Sequence, residues 1–206
     1  LQAIATAKRL GAVIEATDVR PAVKEQIESL GAKFIDVPFE TQEERDCAEG
    51  VGGYARPMPQ SWLDRQKAEV AKRVALADIV ITTALIPGRP APVLVTEEMV
   101  KSMKPGSVVV DLAAGRGPAG PDGTPGGNCP LTVAGQTVVR HGVQLIGVAN
   151  IAASVPLHAS QMFSTNVRTL LTHLSGENGA VNVNAADEIT GPMLVVHNGA
   201  VPVKAS

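Results

Sequence analysis

Aromatic residues are scarce in this sequence, whose 206 residues include one Trp, one Tyr and three Phe. A hydrophobic core must therefore be built mainly from Ala, Val, Ile and Leu. Hydrophobic residues still make up 45% of the chain and charged residues 18%, which excludes a disordered protein. An aliphatic core of this kind suits parallel strands that are covered by helices on both faces.

Three further shortages exclude whole classes of function. The net charge of -2, without a basic stripe, argues against a nucleic-acid partner. The two cysteines, Cys47 and Cys129, lack metal-ligand neighbours at zinc spacing, so we predict free thiols in a reducing compartment and no metal site. No apolar run approaches the roughly 20 residues that span a bilayer. We therefore expect no direct membrane insertion of this segment.

The first third of the chain alternates helical and strand patterns. Residues 1–10 have apolar side chains at helical spacing, and Gly11 is the expected C-cap. AVIEATD is typical of a strand that ends at Asp18, Pro21 opens a helix that Gly31 closes, and KFIDV is a short strand. This order predicts βαβ units and a parallel sheet.

The middle of the chain continues this alternation after an interruption. Residues 38–60, first acidic and then glycine-rich, are predicted to form a long surface loop. We expect Ser61 to cap the next helix and residues 78–83 to form a buried strand before an exposed turn. Thr96 is predicted to cap a short helix, and residues 107–113 to form another buried strand.

The last third is predicted to contain a flexible Gly/Pro loop at residues 114–127, two short strands and a long amphipathic helix. The tail has a hairpin signal, Asn198-Gly199. We predict a Rossmann-like domain over residues 1–175 and a C-terminal tail or hairpin over 176–206 that returns to a missing N-terminal domain. The expected core contacts of the long helix are Leu157, Met162, Val167, Leu170, Leu171 and Leu174.

Asp18 is the most informative candidate for a binding residue. In dinucleotide-binding folds, an acidic residue at the end of the second strand accepts hydrogen bonds from ribose hydroxyls and disfavours a 2′-phosphate. Because the chain starts with Leu1 inside an uncapped helical pattern, we expect the first strand and its Gly-rich turn to be missing. The alternative, with about even odds on spacing alone, is that Asp18 only caps the helix that begins at Pro21.

A formal match to the glycine fingerprint occurs later, at Gly115, Gly117 and Gly120. No helix is predicted after it, so there would be no helix N-terminus to hold a pyrophosphate. We therefore interpret this match as a loop without a phosphate-binding role.

Two other segments are weaker candidates. Thr83, Ala84 and Leu85 follow a strand, at the edge of the sheet where ligands of open α/β folds bind, although ordinary packing explains them equally well. Gly53 and Tyr54 lie in the long loop, and a lone tyrosine beside glycines is compatible with a lid, a partner contact or disorder. The four histidines show no carboxylate or cysteine partner at a recognisable spacing.

Several segments together resemble the NAD(H)-binding component, or alpha subunit, of proton-translocating NAD(P) transhydrogenase. The more specific elements are GGYA and GGNCPLT, and ATDVRP, KEQIESLGAKFI and SVVVDLA also match. The block ITTALIPGRPAPVLVTEEMV is shared with the related alanine dehydrogenases. One departure is an apparent insertion within Gly115–Pro125, where an acidic residue usual in the family is replaced around Gly115.

The resemblance implies an NAD-binding component that works with an NADP-binding component and a membrane-spanning component. It implies a homodimer that is cytoplasmic and peripheral at the inner face of the membrane. It also assigns roles to residues of this chain: contact with the adenosine ribose, a loop that closes over NAD(H), a position under the nucleotide, and a position near the nicotinamide. The corresponding residues are, in that order, Asp18, Val19 and Arg20; Gly53 and Tyr54; Ala84 and Leu85; and Asn128.

This resemblance agrees with the lack of a candidate catalytic acid or base. A hydride that passes between two nicotinamides moves no substrate proton, so the protein contributes orientation and electrostatics. The leading hypothesis is therefore a Re/Si-specific, proton-translocating transhydrogenase component with NAD as its cofactor and no catalytic side chain. The alternatives are an alanine dehydrogenase-like amino-acid dehydrogenase, which would need ionisable groups beside the nicotinamide, and an inactive nucleotide-binding fragment.

Overall fold

The computed structural model describes residues 1–49, 56–86, 89–175 and 179–201. It divides into two compact units, residues 1–149 and 150–206; the domain boundary at residue 175 stays a prediction. Within the described ranges, no helix is both long and apolar enough to cross a bilayer. The α-helices are α1 Gln2–Arg9, α2 Pro21–Ser29, α3 Gln42–Glu49, α4 Gln60–Val74, α5 Glu97–Ser102, α6 Pro156–Leu174 and α7 Thr190–Met193. The strands are β1 Glu15–Ala16, β2 Lys33–Phe34, β3 Ile79–Thr82, β4 Val108–Asp111, β5 Thr137–Arg140 and β6 Val143–Gly147.

The N-terminal elements follow the predicted order of helix, strand, helix and strand. Strands β1 and β2 pair in parallel, with Glu15 opposite Lys33. Gly11 and Gly31 follow the two helices with φ of +84° and +79°, a conformation that glycine adopts at little cost and that suits a helix end. Asp18 lies two residues beyond β1, as predicted, although the strand itself is shorter than the sequence pattern indicates.

The larger sheet has the order β3-β4-β6-β5. Strands β3, β4 and β6 run parallel, whereas β5 pairs antiparallel with β6 at one edge. This mixed sheet belongs to an α/β fold, as predicted. The predicted burial of β3 is wrong, because Ile79 is 62% exposed and Ile81 is also exposed. Strand β3 lies at an edge of this sheet, and no described residue pairs with its free side.

The core of the first unit is aliphatic, as the shortage of aromatic residues predicts. It packs between helices α4 and α5 and one face of the larger sheet, so that apolar surface leaves water without large rings. Two methionines add to the branched side chains. The buried cluster consists of Val74, Val95, Met99, Val100, Met103, Val109, Cys129, Leu131, Val143 and Leu145.

The interpretation of residues 38–60 as one long loop is wrong, because α3 occupies 42–49. Glu43 and Glu44 lie in its first turn, where the helix dipole favours negative charge. The predicted cap is also wrong: α4 begins at Gln60 after Pro59. The hydroxyl of Ser61 instead donates to Glu44 Oε1 at 3.3 Å, an interaction that links α4 to α3.

The second unit contains α6, α7 and a turn. The long helix is confirmed, but its predicted apolar contacts are not buried among the residues that the structure describes. The reason is that few described residues of this unit cover the helix. At the tail, Asn198 and Gly199 have φ of 52° and 78°, and His197 and Ala200 exchange backbone hydrogen bonds of 2.8 and 3.0 Å. The predicted two-residue turn is therefore confirmed.

Candidate cofactor-binding site

Asp18 lies at the carboxyl end of β1 in a paired state. Its Oδ1 accepts hydrogen bonds from Arg20 N and Arg20 Nε, both at 2.9 Å, and its Oδ2 accepts from Arg20 NH2 at 2.8 Å. Burial by itself raises the pKa of Asp18, but the hydrogen bonds and charge of Arg20 outweigh it and leave that pKa below its ordinary value. Asp18 is therefore an anionic acceptor whose side chain stays 25% exposed.

The alternative role of Asp18 as a helix cap can be compared with this geometry. A capping side chain accepts from an N–H inside the first helical turn, whereas Asp18 accepts from Arg20, the residue that precedes α2. No side-chain hydrogen bond caps α2 at Arg20. A carboxylate offers about four acceptor positions, so Asp18 keeps room for a ribose hydroxyl beside its three bonds to Arg20.

A cavity of about 180 Å³ lies beside Asp18 and contains groups that the sequence patterns did not single out. Asp36 lines it, and Lys24 Nζ donates to Asp36 Oδ2 at 2.8 Å. The missed signal was the position of Asp36 in KFIDV: it follows β2 by two residues, as Asp18 follows β1. Val19 and Arg20 also line this cavity.

Ala84 and Asn128 are brought together at the carboxyl edge of the larger sheet. Ala84 N donates to Asn128 Oδ1 at 3.0 Å, and Asn128 Nδ2 donates to Ala84 O at 2.9 Å and to Pro92 O at 2.8 Å. Asn128 is fully buried, and both hydrogens of its amide are engaged. Its side chain therefore positions the turn that carries Ala84, while the neighbouring Leu85 is exposed.

Asp111 at the end of β4 is a second buried anchor that the sequence patterns did not identify as functional. Its Oδ1 accepts from Ala113 N at 2.9 Å and Thr82 Oγ1 at 3.3 Å. Its Oδ2 accepts from Cys129 N at 3.0 Å and Thr132 Oγ1 at 2.8 Å. These four bonds join the ends of β3 and β4 to the segment that contains Asn128. With both oxygens bonded in a fully buried position, Asp111 is placed for positioning rather than proton transfer.

The formal glycine fingerprint has a packing role. Residues 115–136 form turns without a helix, which confirms the interpretation from the sequence. Gly115 N and Gly117 N both donate to Gly126 O, at 2.8 and 2.9 Å. A Cβ on Gly117 would overlap the backbone of Gly127, so the two arms of the loop approach closely only without side chains. The description of this loop as flexible is wrong, since these backbone bonds hold it together.

Gly53 and Tyr54 lie outside the described residues. The flanking chain is joined by a hydrogen bond of 2.8 Å from Arg56 N to Cys47 O. Nearby, Glu44 is 1% exposed and accepts from Arg65 NH2 at 2.9 Å on Oε1 and 2.8 Å on Oε2. Burial raises the pKa of Glu44, but the Glu40 backbone and Arg65 outweigh it and leave that pKa below its ordinary value.

Two histidines have carboxylate partners that the sequence spacing did not reveal. His141 Nε2 lies 2.9 Å from Glu97 Oε1, and His173 Nε2 lies 3.0 Å from Asp187 Oδ1. The partners are 44 and 14 residues apart in sequence, and the pairs are on the surface. Among the described residues, no group of three His, Cys, Asp or Glu side chains could hold a metal ion.

Comparison with known families decides which kind of α/β domain this is. The model of the alanine dehydrogenase/PNT C-terminal domain matches residues 1–204. The chain belongs to this family. The match extends across both compact units and includes all the residues of the candidate site.

Curated relatives agree with this assignment. An NAD(P) transhydrogenase subunit alpha of Rhodospirillum rubrum is 48% identical over 98% of this chain and 50% of its own length. NAD(P) transhydrogenase subunit alpha of Cereibacter sphaeroides is 45% identical over 98% of this chain and 36% of its own. Alanine dehydrogenase of Bacillus subtilis is 40% identical, but over 66% of this chain. The chain thus spans half or less of the length of these relatives.

Solved structures give the same order of similarity. The crystal structure of transhydrogenase from Sinorhizobium meliloti superposes with a TM-score of 0.75 at 45% identity, covering 98% of this chain and 49% of that one. An L-alanine dehydrogenase gives a TM-score of 0.50 at 27% identity, covering 76% of this chain and 35% of its own. The Rossmann-like fold and the resemblance to the transhydrogenase alpha subunit are therefore confirmed.

Proposed function

We propose that this chain is the NAD(H)-binding portion of the alpha component of a proton-translocating, Re/Si-specific NAD(P) transhydrogenase, with NAD as its cofactor. In the complete enzyme, hydride passes between NADH and NADP⁺. The observation that carries the proposal is the identity of 48% to a transhydrogenase alpha subunit over 98% of the chain. An activity of the whole assembly needs more protein than these 206 residues.

The proposed contacts with NAD(H) lie at the carboxyl ends of the strands. Asp18 would accept hydrogen bonds from the adenosine ribose, with Val19 and Arg20 beside it. Ala84 and Leu85 would lie under the nucleotide, because they follow β3 at the edge where open α/β sheets bind ligands. Gly53 and Tyr54 keep their proposed position on a loop over the cofactor. Asn128 would act through Ala84, since its amide hydrogens are bonded to Ala84 O and Pro92 O.

The chemistry requires little of the side chains. The nicotinamide, when bound, supplies the hydride, so this chain has to bind and orient the dinucleotide and needs no general acid or base. Asp111, the buried carboxylate at the end of β4, is held by four donors. It would keep the ends of β3 and β4 in place, which preserves the position of the Ala84 turn.

The proposed partners are an NADP-binding component and a membrane-spanning component that couples hydride transfer to proton movement. We further propose a homodimer that is peripheral at the cytoplasmic face of the membrane through these partners. The names of the relatives, which are alpha subunits of a multi-subunit enzyme, support the existence of further subunits.

A second candidate function is an alanine dehydrogenase-like activity, favoured by the identity of 40% to such an enzyme. That similarity covers 66% of the chain, less than the transhydrogenase match. Deprotonation of an amino acid or imine requires an ionisable group at the nicotinamide, and the acidic residue usual in the family is replaced around Gly115. The transhydrogenase function therefore accounts for more of the sequence.

The decisive experiment uses the full-length protein and its Asp18→Ala variant. NADH binding, followed by nicotinamide fluorescence, should weaken at least about tenfold in the variant, as expected for loss of a charge-assisted hydrogen bond. The control is Asp64→Ala, which removes a carboxylate from α4. Equal NADH affinity in all three proteins would remove Asp18 from the site.

Two activity assays separate the functions. With the partner components present, the transhydrogenase proposal predicts hydride transfer between NADH and an NADP⁺ analogue. NADH formation from L-alanine and NAD⁺ at an enzymatic rate would favour the dehydrogenase instead. Residues 1–206 alone should bind NADH weakly or not at all, and sub-millimolar binding would contradict that expectation.

A further inference from the structure

Two carboxylates occupy equivalent positions at the ends of neighbouring strands. Glu15 pairs with Lys33 and Ala16 with Phe34 in parallel register, and Ile35 N donates to Ala16 O. Asp18 and Asp36 each lie two residues beyond the last of these pairs. Both line the same cavity of about 180 Å³, a volume suited to one portion of a dinucleotide rather than to all of it.

Each carboxylate is paired with a cation from the start of α2. Arg20 binds Asp18 through Nε and NH2 at 2.9 and 2.8 Å, and Lys24 Nζ binds Asp36 Oδ2 at 2.8 Å. Arg20 and Lys24 also line the cavity. The cavity thus holds two negative and two positive side chains, so their formal charges cancel.

These cations are of the type that binds phosphate. An arginine near the end of the second strand accommodates the 2′-phosphate of NADP in related folds, and lysine is a common phosphate ligand. Here both are directed to carboxylates. A 2′-phosphate, with a charge of about -2, would have to displace Asp18 and Asp36 and would be repelled by them.

We propose that Asp36, together with Asp18, excludes NADP from this site by holding Lys24 and Arg20 away from a 2′-phosphate. The inference rests on the proposed function, because it assumes that the adenosine end of NAD binds in this cavity. It adds Asp36 and Lys24 as specificity-determining residues. The site then discriminates against NADP by masking the cations it has, rather than by lacking them. Such exclusion suits an enzyme in which a separate component binds NADP.

The test compares two probes that differ by one phosphate, 5′-AMP and 2′,5′-ADP, by calorimetry on the full-length protein. Wild type should prefer 5′-AMP. Asp36→Asn should shift the affinity ratio towards 2′,5′-ADP by about tenfold, equal to about 1.4 kcal/mol, and Asp18→Asn/Asp36→Asn should shift it further. Adding Lys24→Ala to Asp36→Asn should abolish the shift, because the unmasked cation is then gone.

Matched controls keep the outcomes distinct. Glu69→Gln removes a paired carboxylate on α4 and should leave the ratio unchanged. Asp36 is 60% exposed, so its replacement should leave the fold intact, which circular dichroism would verify. Lys24→Ala alone should not alter the ratio, since Asp36 already engages that lysine; Lys24-dependent binding of 2′,5′-ADP by wild type would overturn the masking.

The proposed function and this inference fail in different ways. An unchanged ratio in Asp36→Asn, with 5′-AMP and NADH bound as in wild type, would refute the role of Asp36 and leave the NAD-binding function standing. Failure of the wild-type protein to bind NADH or 5′-AMP would instead refute the proposed function.

Discussion

Asn128 and Ala84 form a closed pair of hydrogen bonds across 44 residues of sequence. Ala84 N donates to Asn128 Oδ1 at 3.0 Å and Asn128 Nδ2 donates to Ala84 O at 2.9 Å. The primary amide matches the backbone amide because it offers one acceptor and two donors, the second of which binds Pro92 O. The turn after β3 therefore depends on a residue from a distant loop.

Asn128→Asp should both destabilise the protein and weaken NADH binding. Asp has no N–H for the carbonyls of Ala84 and Pro92, so we expect a loss of about 1–3 kcal/mol of unfolding free energy. Chemical denaturation and NADH titration measure the two effects. The control, Asn150→Asp, keeps the Oδ1 acceptor for Ala153 N and should change neither. Unchanged NADH affinity in a destabilised Asn128→Asp would show that the Ala84 turn does not contact the cofactor.

Glu44 should make stability depend on pH in the acidic range. Its folded-state pKa is below the ordinary value of 4.5, so its contribution is complete above that value and is lost as pH falls through the folded-state pKa. Glu44→Gln should lower Tm near pH 6, and the difference from wild type should shrink as pH falls below 4.5. Glu43→Gln, an exposed neighbour on α3, is the control. A Tm difference independent of pH would contradict the charged pairing with Arg65.

Gly127 should tolerate no side chain. A Cβ there would overlap Asp111 Oδ2 and lie 2.6 Å from Ala114 N, so Gly127→Ala should cost about 1–3 kcal/mol of unfolding free energy. Gly123 is in the same loop, has φ of +79° and has no atom within 4 Å of an added Cβ. Gly123→Asn should therefore be nearly neutral, because Asn tolerates this conformation. Equal stability of the two variants would place Gly127 elsewhere than beside Asp111.

Cys129 should be the unreactive thiol of the pair. Burial raises its pKa to about 11, and the thiolate is the reactive form, whereas Cys47 is partly exposed. A disulfide reagent at pH 8 should modify one thiol rapidly in the native protein and the second only on unfolding. In Cys47→Ser the rapid phase should disappear; its persistence would mean that Cys129 is accessible.

Much of the secondary structure was predictable because its signals are local. Thr96 accepts from Met99 N at the start of α5, as its position before two glutamates indicates. Gly11 and Gly31 end their helices with positive φ. The Asn198-Gly199 turn needs left-handed residues, and the sequence supplies both. The position of Asp18 after β1 followed from the same local alternation.

The partners of the polar side chains could not be read from the sequence. Ser61 stands where a cap is expected, yet Pro59 precedes the helix and the hydroxyl bonds to Glu44, 17 residues away. Asp36 is an ordinary strand-end residue until β1 and β2 pair and place it beside Asp18. The predicted core face of α6 also failed, because an apolar stripe specifies a face to cover and not the surface that covers it.

The sequence by itself therefore determined the family, the aliphatic core and the ends of several helices, since these depend on composition and on residues a few positions apart. Only the tertiary structure decided that Asn128 holds Ala84, that Asp111 joins two strand ends to a loop, and that two carboxylates engage two cations in one cavity. Hydrogen bonds and ion pairs act over about 3 Å, and chain folding alone brings residues separated by 18 to 44 positions within that distance.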